Sequence, residues 1–185
     1  MTMEYTIKSL FEADEIARRI AAVVDEMGGN DCQTNFVMVG VLRGSFVFLA
    51  DLVRELDRLE RRPKIDFMTL ESYHGGTEST GVPRMIKDVS VDLRGAHVLL
   101  VDDILDTGRT LSFAVKHLRN KGADIVQTCV LLDKPSRRLV DIHADYVGFT
   151  IEDTFVVGYG LDYDNHYREL PYIGEVVQNA VVVSR

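Results

Sequence analysis

The chain has few cysteines and no pattern that would pair them. Its 185 residues include only two, Cys32 and Cys129. The sequence contains no CxxC motif and no cysteine–histidine spacing typical of a zinc site, and two thiols cannot form a disulfide framework. We therefore expect both to be small core residues of a protein in a reducing compartment. A chain of this length can bury a stabilising core without covalent cross-links.

Long hydrophobic runs are also missing. No apolar stretch approaches the roughly 20 residues that a helix needs to cross a bilayer. Residues 1–10 lack the basic segment and apolar run of a secretion signal. We therefore expect no membrane partner and a cytoplasmic location. With 46% hydrophobic and 27% charged residues, the composition is that of a globular protein, and we expect a single domain over residues 1–185.

Positive charge is in deficit, with a net charge of −8 at pH 7. A nucleic-acid-binding protein normally presents an excess of Lys and Arg on one face. We therefore expect no nucleic-acid partner. An acidic protein that binds a polyanion must use local means: backbone amides, a few basic side chains and metal ions.

Predicted strands and helices alternate along the chain. Apolar residues at helical spacing predict helices over residues 10–27, 45–59 and 109–121. Short apolar or alternating runs predict strands over residues 35–42, 64–73, 84–91, 96–104 and 125–132. Strand, helix and strand repeated in this way predict an α/β fold with a mainly parallel central sheet flanked by helices. Residues 74–81 are small and polar and predict a loop.

The segment VLLVDDILDTGRTL, residues 98–111, carries the clearest chemical signal. A predicted buried strand ends in Asp102 and Asp103, and Asp106 follows just before a helix. In parallel sheets, ligands bind beyond the carboxyl ends of the strands. A Thr–Gly turn that opens a helix offers free amides and the positive end of the helix dipole, which suit a phosphate. Helix capping explains one such aspartate but not three. The carboxylates would then face sugar hydroxyls, a metal ion or a developing cation.

These residues resemble the phosphoribosyl-pyrophosphate motif of the type I phosphoribosyltransferases. The chain as a whole resembles the hypoxanthine (hypoxanthine-guanine) phosphoribosyltransferases, because four further segments occur in that family's order. They are the pyrophosphate loop at 41–45, the lid at 72–81, the purine-reading segment at 133–135 and the base-binding segment at 155–163 with Arg168. The resemblance implies the type I phosphoribosyltransferase fold, with a small hood built from residues 1–15 and 150–185.

The same resemblance implies an activity. It is the transfer of the phosphoribosyl group of phosphoribosyl pyrophosphate to a 6-oxopurine, hypoxanthine or guanine, with Mg²⁺ as cofactor and a homodimer or homotetramer as the assembly. Two other functions stay open at this point. One is a transferase for xanthine or a pyrimidine, and the other is a regulator that keeps the fold and binds nucleic acid, which the acidic charge disfavours.

Residue roles follow from the matched motifs. Asp106 is implied to be the general base. Pyrophosphate contacts are implied for Arg43, Gly44, Ser72, Tyr73 and Arg168. Residues implied to bind the 5′-phosphate are Thr107, Gly108, Arg109 and Thr110. Those implied to lie around the ribose and Mg²⁺ are Asp102, Asp103, Ile104, Leu105 and Asp162, with the three aspartates as metal-associated groups. Base contacts are implied for Lys134, Phe155 and Val156, with Lys134 reading the purine's 6-oxygen.

Two positions depart from the family's common pattern. Asp102 stands where the family often has Glu, which is one methylene longer, and Arg43 stands where many relatives have Lys. The resemblance also implies a cis peptide bond between Leu42 and Arg43.

Overall fold

The computed structural model describes residues 5–29, 35–72 and 83–178. These residues form three α-helices: α1 (Ala13–Glu26), α2 (Phe46–Arg58) and α3 (Arg109–Asn120). The strands are β1 (Tyr5–Phe11), β2 (Phe36–Leu42), β3 (Lys64–Ser72), β4 (Pro83–Lys87), β5 (His97–Leu105), β6 (Ile125–Asp133), β7 (Tyr146–Thr150), β8 (Val156–Val157) and β9 (Ile173–Gln178). Short 3₁₀ turns cover Met27–Gly29 and Pro135–Arg137. None of the helices within these ranges is both long and apolar enough to cross a membrane.

Six strands form the central sheet, in the order β4-β3-β2-β5-β6-β7. Neighbouring strands run parallel except at one edge, where β4 pairs antiparallel with β3. A sheet of this kind needs cover on both faces. Helices α1 and α2 pack on one face, and α3 packs on the other. The α/β class predicted from the sequence, with a mainly parallel sheet flanked by helices, is confirmed.

The alternation of side chains along the central strands explains how one sheet serves two cores. In β5, Leu99 and Val101 belong to the core under α1 and α2, whereas Val98 and Leu100 belong to the core under α3. All four are buried. Because successive strand residues point to opposite faces, a strand covered on both sides must be apolar at every position. This requirement accounts for the continuous apolar run that predicted β5.

Both ends of the described chain meet in a second, small sheet. It has three antiparallel strands in the order β1-β9-β8. Its residues Val156 and Ile173 are buried in the same core as α1 and α2. The prediction of a helix from residue 10 was therefore wrong at its start, because Leu10 and Phe11 belong to β1. Pairing with a strand some 165 residues away overrides the local helical spacing there.

A buried carboxylate ends β4 earlier than predicted. Asp66 on β3 is 7% exposed and accepts hydrogen bonds from the amides of Phe67, Ser90 and Val91 and from the Ser90 hydroxyl. The amides of Ser90 and Val91 are thereby removed from any strand ladder, so the strand predicted to reach residue 91 ends at Lys87. Burial raises the pKa of Asp66, but these four hydrogen bonds outweigh it, and its pKa lies below the ordinary value.

Asp66→Asn is expected to lower the free energy of unfolding by about 1.5–3 kcal/mol at pH 7, since hydrogen bonds to a charged acceptor are lost. The pKa of Asp66 is lower in the folded than in the unfolded chain. Its contribution is therefore complete above the unfolded value of about 3.9 and is lost as the pH falls through the folded value. Urea denaturation at pH 7 and below pH 4 measures both effects. Asp57→Asn, at an exposed position of α2, is the matched control. Equal unfolding free energies for the two variants would contradict the expectation.

Candidate active site

The carboxyl ends of the central strands open into one cleft of about 670 Å³. It lies where the loops after β2 and β5 and the turn after β8 come together. Most of the residues predicted to bind the phosphosugar line it: Arg43, Gly44, Asp102, Asp103, Ile104, Leu105, Asp106, Thr107, Gly108, Arg109, Thr110, Asp162 and Arg168. Residues that were not predicted also line it, including Thr69, Leu70, Glu71 and Arg137.

Strand β5 delivers the acidic residues and α3 begins directly after them. Gly108 precedes the helix with φ of +85°, a left-handed conformation that favours glycine. A Cβ there would lie 2.7 Å from Ile142 Cγ2. The 12-residue helix directs its first amides and the positive end of its dipole toward the cleft. This end of α3 is therefore suited to an anionic group such as a phosphate.

Two adjacent carboxylates occupy the end of β5. Asp102 is buried, and its Oδ1 accepts the amide of Asp103 at 3.0 Å. Burial, reinforced by the charge of Asp103, raises the pKa of Asp102 well above its usual range. Burial also raises the pKa of Asp103, although the amide of Ile104 and the charge of Arg168 oppose the shift. Holding both carboxylates ionised is therefore costly unless positive charge approaches them.

The loop after β2 closes the opposite wall of the cleft. The peptide bond between Leu42 and Arg43 is cis, which confirms the expectation from the family resemblance. A Cβ on Gly44 would lie 1.4 Å from Asp103 Oδ2. A Cβ on Gly160, where φ is +98°, would lie 2.3 Å from the Gly44 carbonyl oxygen. The loop thus fits between the acidic strand end and the turn after β8 only because both positions lack a side chain.

An ion pair forms the third wall. Arg168 Nη2 lies 2.6 Å from Asp162 Oδ1, and Arg168 Nη1 donates to the Gly160 carbonyl at 2.5 Å. The Asn165 amide donates to Asp162 Oδ2 at 2.8 Å. Both charged side chains are largely shielded from solvent. The pair holds a guanidinium and a carboxylate on the cleft at fixed positions.

Asp106 makes an ion pair that was not predicted. Arg137 Nε donates to Asp106 Oδ1 at 3.2 Å, and Arg137 Nη1 reaches Asp153 Oδ2 at 3.5 Å. The two carboxylates therefore share one guanidinium, and Asp106 stays partly exposed to the cleft.

A second arginine, Arg138, binds the backbone of the turn between β5 and α3. Arg138 donates to the carbonyls of Leu105 and Asp106 and pairs with the Asp133 carboxylate. The amide of Leu139 donates to the Thr107 carbonyl at 3.0 Å. Sequence reasoning missed Arg137 and Arg138. The Arg–Arg pair one residue after the motif at 133–135 indicates local positive charge but does not show which groups it meets.

The three residues predicted to contact the base lie outside the lining of this cleft. Lys134 is buried, and its Nζ donates to the Thr154 carbonyl at 2.6 Å. Val156 is buried in β8, whereas Phe155 is 52% exposed and meets the Tyr163 ring edge-on at 5.5 Å. Lys134 is nonetheless adjacent to the cleft, since its amide donates to the Leu105 carbonyl.

Part of the predicted site falls between the described ranges. Tyr73 and the predicted lid at 74–81 lie outside the described residues, and only the backbone of Ser72 is described. Within residues 5–29, 35–72 and 83–178, no three His, Cys, Asp or Glu side chains form a ready-made metal cage. Mg²⁺ seldom needs one, because it binds through one or two carboxylates together with substrate phosphates and water. The aspartates on the cleft fit that requirement, since a cation there would relieve the repulsion between Asp102 and Asp103.

The parallel sheet and the acidic strand end that leads into a helix are the arrangement that the resemblance to the phosphoribosyltransferases implies. The chain belongs to this family: the phosphoribosyl transferase domain matches residues 6–164. Hypoxanthine phosphoribosyltransferase of Salmonella typhimurium is 44% identical over 95% of this chain and 98% of its own. Hypoxanthine-guanine phosphoribosyltransferase of Streptococcus pneumoniae is 45% identical over 90% and 91%. A solved hypoxanthine phosphoribosyltransferase of Staphylococcus aureus superposes with a TM-score of 0.84 at 41% identity, over 96% of this chain and 94% of that one.

Proposed function

We propose that this enzyme transfers the 5-phosphoribosyl group of phosphoribosyl pyrophosphate to N9 of a 6-oxopurine, hypoxanthine or guanine, and releases pyrophosphate. The observation that carries the proposal is the cleft in which the acidic end of β5 runs into α3 opposite the cis loop and Arg168. The products are IMP and GMP, and the role is purine salvage. The names of the relatives, hypoxanthine and hypoxanthine-guanine phosphoribosyltransferase, support this choice of base.

Phosphate recognition is assigned to the start of α3 and, on the other side of the cleft, to the loop after β2 together with Arg168. Thr107, Gly108, Arg109 and Thr110 bind the 5′-phosphate through the amides and hydroxyls at the start of α3. Arg43, Gly44 and Arg168 bind the pyrophosphate. The guanidinium groups offset charge that grows on the pyrophosphate as its bond to the sugar breaks. Ser72 and Tyr73 are proposed to contribute from the segment that follows β3.

Mg²⁺ is proposed as the cofactor, with Asp162 as its protein ligand and Asp102 and Asp103 influencing it directly or through water. When bound, it supplies positive charge to the pyrophosphate and to the sugar hydroxyls. The raised pKa of the Asp102–Asp103 pair supports the assignment, because a nearby cation would keep both carboxylates ionised.

The chemical step needs negative charge near the sugar and a group that takes a proton. As the anomeric carbon separates from pyrophosphate it gains oxocarbenium character. Asp102 and Asp103 stabilise that charge, and the strand end at Ile104 and Leu105 holds the ribose. Asp106 takes the proton from the N7 region of the purine while N9 forms its bond to the anomeric carbon.

Base recognition is assigned to the small sheet, which we propose is the hood, built from residues 1–15 and 150–185 of a single domain. Phe155 stacks on the purine face, and Val156 meets its edge through backbone groups. Lys134 donates to the 6-oxygen. A 6-amino group already presents hydrogens at that position and cannot accept this bond.

Turnover with hypoxanthine and guanine is expected to exceed turnover with adenine by a factor of roughly 10–100 in kcat/KM, because an unpaired buried donor costs about 1–3 kcal/mol. Pyrophosphate release with hypoxanthine, guanine, xanthine, adenine and uracil, each with and without Mg²⁺, measures this. Activity should disappear without the metal. Equal rates with adenine would overturn the proposal, and a preference for uracil would indicate a pyrimidine transferase.

A homodimer or homotetramer is proposed as the assembly. One solved relative, the hypoxanthine phosphoribosyltransferase of Trypanosoma cruzi, was studied for the role of its C-terminal region in oligomeric state and activity; it is 38% identical to this chain. Sedimentation velocity of the purified enzyme tests the assembly, and a single monomeric species would contradict it.

A further inference from the structure

The side chain of Lys134 is held by a backbone carbonyl of the loop before β8. The residue is 7% exposed, and its Nζ donates to the Thr154 carbonyl at 2.6 Å. An ammonium carries three donors. One of them is donated to the Thr154 carbonyl, and burying an ammonium is costly unless its donors are hydrogen-bonded. The Thr154 carbonyl therefore fixes the direction in which the remaining donors of Lys134 point.

Thr154 is in turn fixed by the small sheet. Its hydroxyl donates to Oε1 of Glu175 on β9, and its amide donates to the Glu152 carbonyl at 2.8 Å. Glu175 lies opposite Val156 in the β8–β9 pair and opposite Lys8 in the β1–β9 pair. The hydrogen bonds thus run from β9 through Thr154 to Lys134, and none of these links involves the phosphosugar cleft.

We propose that Thr154 and Glu175 are positioning residues for base discrimination: the Glu175 carboxylate holds the Thr154 hydroxyl, which sets the Thr154 carbonyl that orients Lys134. The inference rests on the proposed function, because it assigns these residues to the reading of the purine 6-oxygen. Neither residue is proposed to touch the substrate. Both act through the lysine.

The geometry separates this role from phosphosugar binding. Arg43, Asp103 and Arg168 line the cleft, whereas Lys134 and Thr154 do not. A change at Thr154 should therefore alter the KM for hypoxanthine and leave the KM for phosphoribosyl pyrophosphate nearly constant. A general loosening of the fold would raise both.

Thr154→Val and Thr154→Ser form the matched pair. Valine keeps the shape and removes the hydroxyl, whereas serine keeps the hydroxyl. Thr154→Val is expected to raise the KM for hypoxanthine about fivefold, the effect of one hydrogen bond, and Thr154→Ser should stay near wild type. Glu175→Gln keeps an acceptor and should be mild, and Glu175→Leu should resemble Thr154→Val. Circular dichroism of each variant establishes that it is folded.

A double-mutant cycle with Lys134→Met decides whether Thr154 acts through the lysine. In the Lys134→Met background, Thr154→Val should cause no further rise in the KM for hypoxanthine. A further fivefold rise, or equal rises in both KM values for Thr154→Val alone, would overturn the inference. Failure of the proposed function would look different, since the wild-type enzyme itself would then not turn over hypoxanthine.

Discussion

Asp106→Asn is expected to lower kcat by a factor of about 10²–10⁴, the usual effect of losing a general base. The amide matches the carboxylate in shape but cannot take the proton that leaves the purine. Asp106 is placed for this role at the corner between β5 and α3, partly exposed to the cleft, with Arg137 fixing one of its oxygens at 3.2 Å. Steady-state kinetics with hypoxanthine measures the loss in kcat.

Binding of phosphoribosyl pyrophosphate with Mg²⁺ should stay largely intact in this variant, because the proposed phosphate contacts come from other residues. Calorimetry of that binding separates a chemical defect from a binding defect. Asp153→Asn is the matched control, since Asp153 pairs with the same guanidinium but does not line the cleft. If Asp106→Asn keeps near-full turnover, another group takes the proton.

Arg168→Gln is expected to lower kcat/KM for phosphoribosyl pyrophosphate by a factor of about 10²–10³, as for the loss of one donor that stabilises developing charge. The guanidinium lines the cleft beside Asp162, and its charge opposes the rise in the pKa of Asp103 that burial causes. Glutamine keeps a donor but removes the charge that offsets the departing pyrophosphate. Initial rates at varied phosphoribosyl pyrophosphate measure the change.

Two controls complete this experiment. Arg94→Gln breaks an exposed ion pair with Asp92, neither of which lines the cleft, and should leave the rate unchanged. Thermal unfolding of Arg168→Gln is also needed, because Arg168 holds the Gly160 carbonyl. Equal rates for the Arg94 and Arg168 variants would show that Arg168 does not bind pyrophosphate.

The elements predicted best are those whose pattern reflects local requirements. Strand β5 was evident because it is buried on both faces, and α3 because its apolar residues recur at helical spacing. The acidic turn between them was evident because burying carboxylates at the end of a strand is unfavourable unless a ligand or a metal ion compensates their charge. The residues proposed to bind the phosphosugar could therefore be named largely from one continuous segment.

The features that were missed depend on partners distant in sequence. Strand β1 exists because β9 pairs with it, and β4 ends where Asp66 captures the amides of Ser90 and Val91. Strand β7 was not predicted either, and it completes the sheet beside β6. Neither spacing nor composition shows which residue will meet which across such distances. The same holds for Arg138, whose acceptors are the Asp133 carboxylate and two backbone carbonyls some 32 residues away.

The pairing of β1 with β9 also has a consequence for the order in which the protein is made. All six strands of the central sheet lie between residues 36 and 150, so that sheet can assemble while the chain is still on the ribosome. The three-stranded sheet cannot close until residue 178 has emerged, because its middle strand is β9. A nascent chain halted before that point would hold the proposed sugar-phosphate side of the cleft without the small sheet that we propose binds the purine. The proposed sugar-phosphate side and the proposed purine side of the site are thus completed at different times.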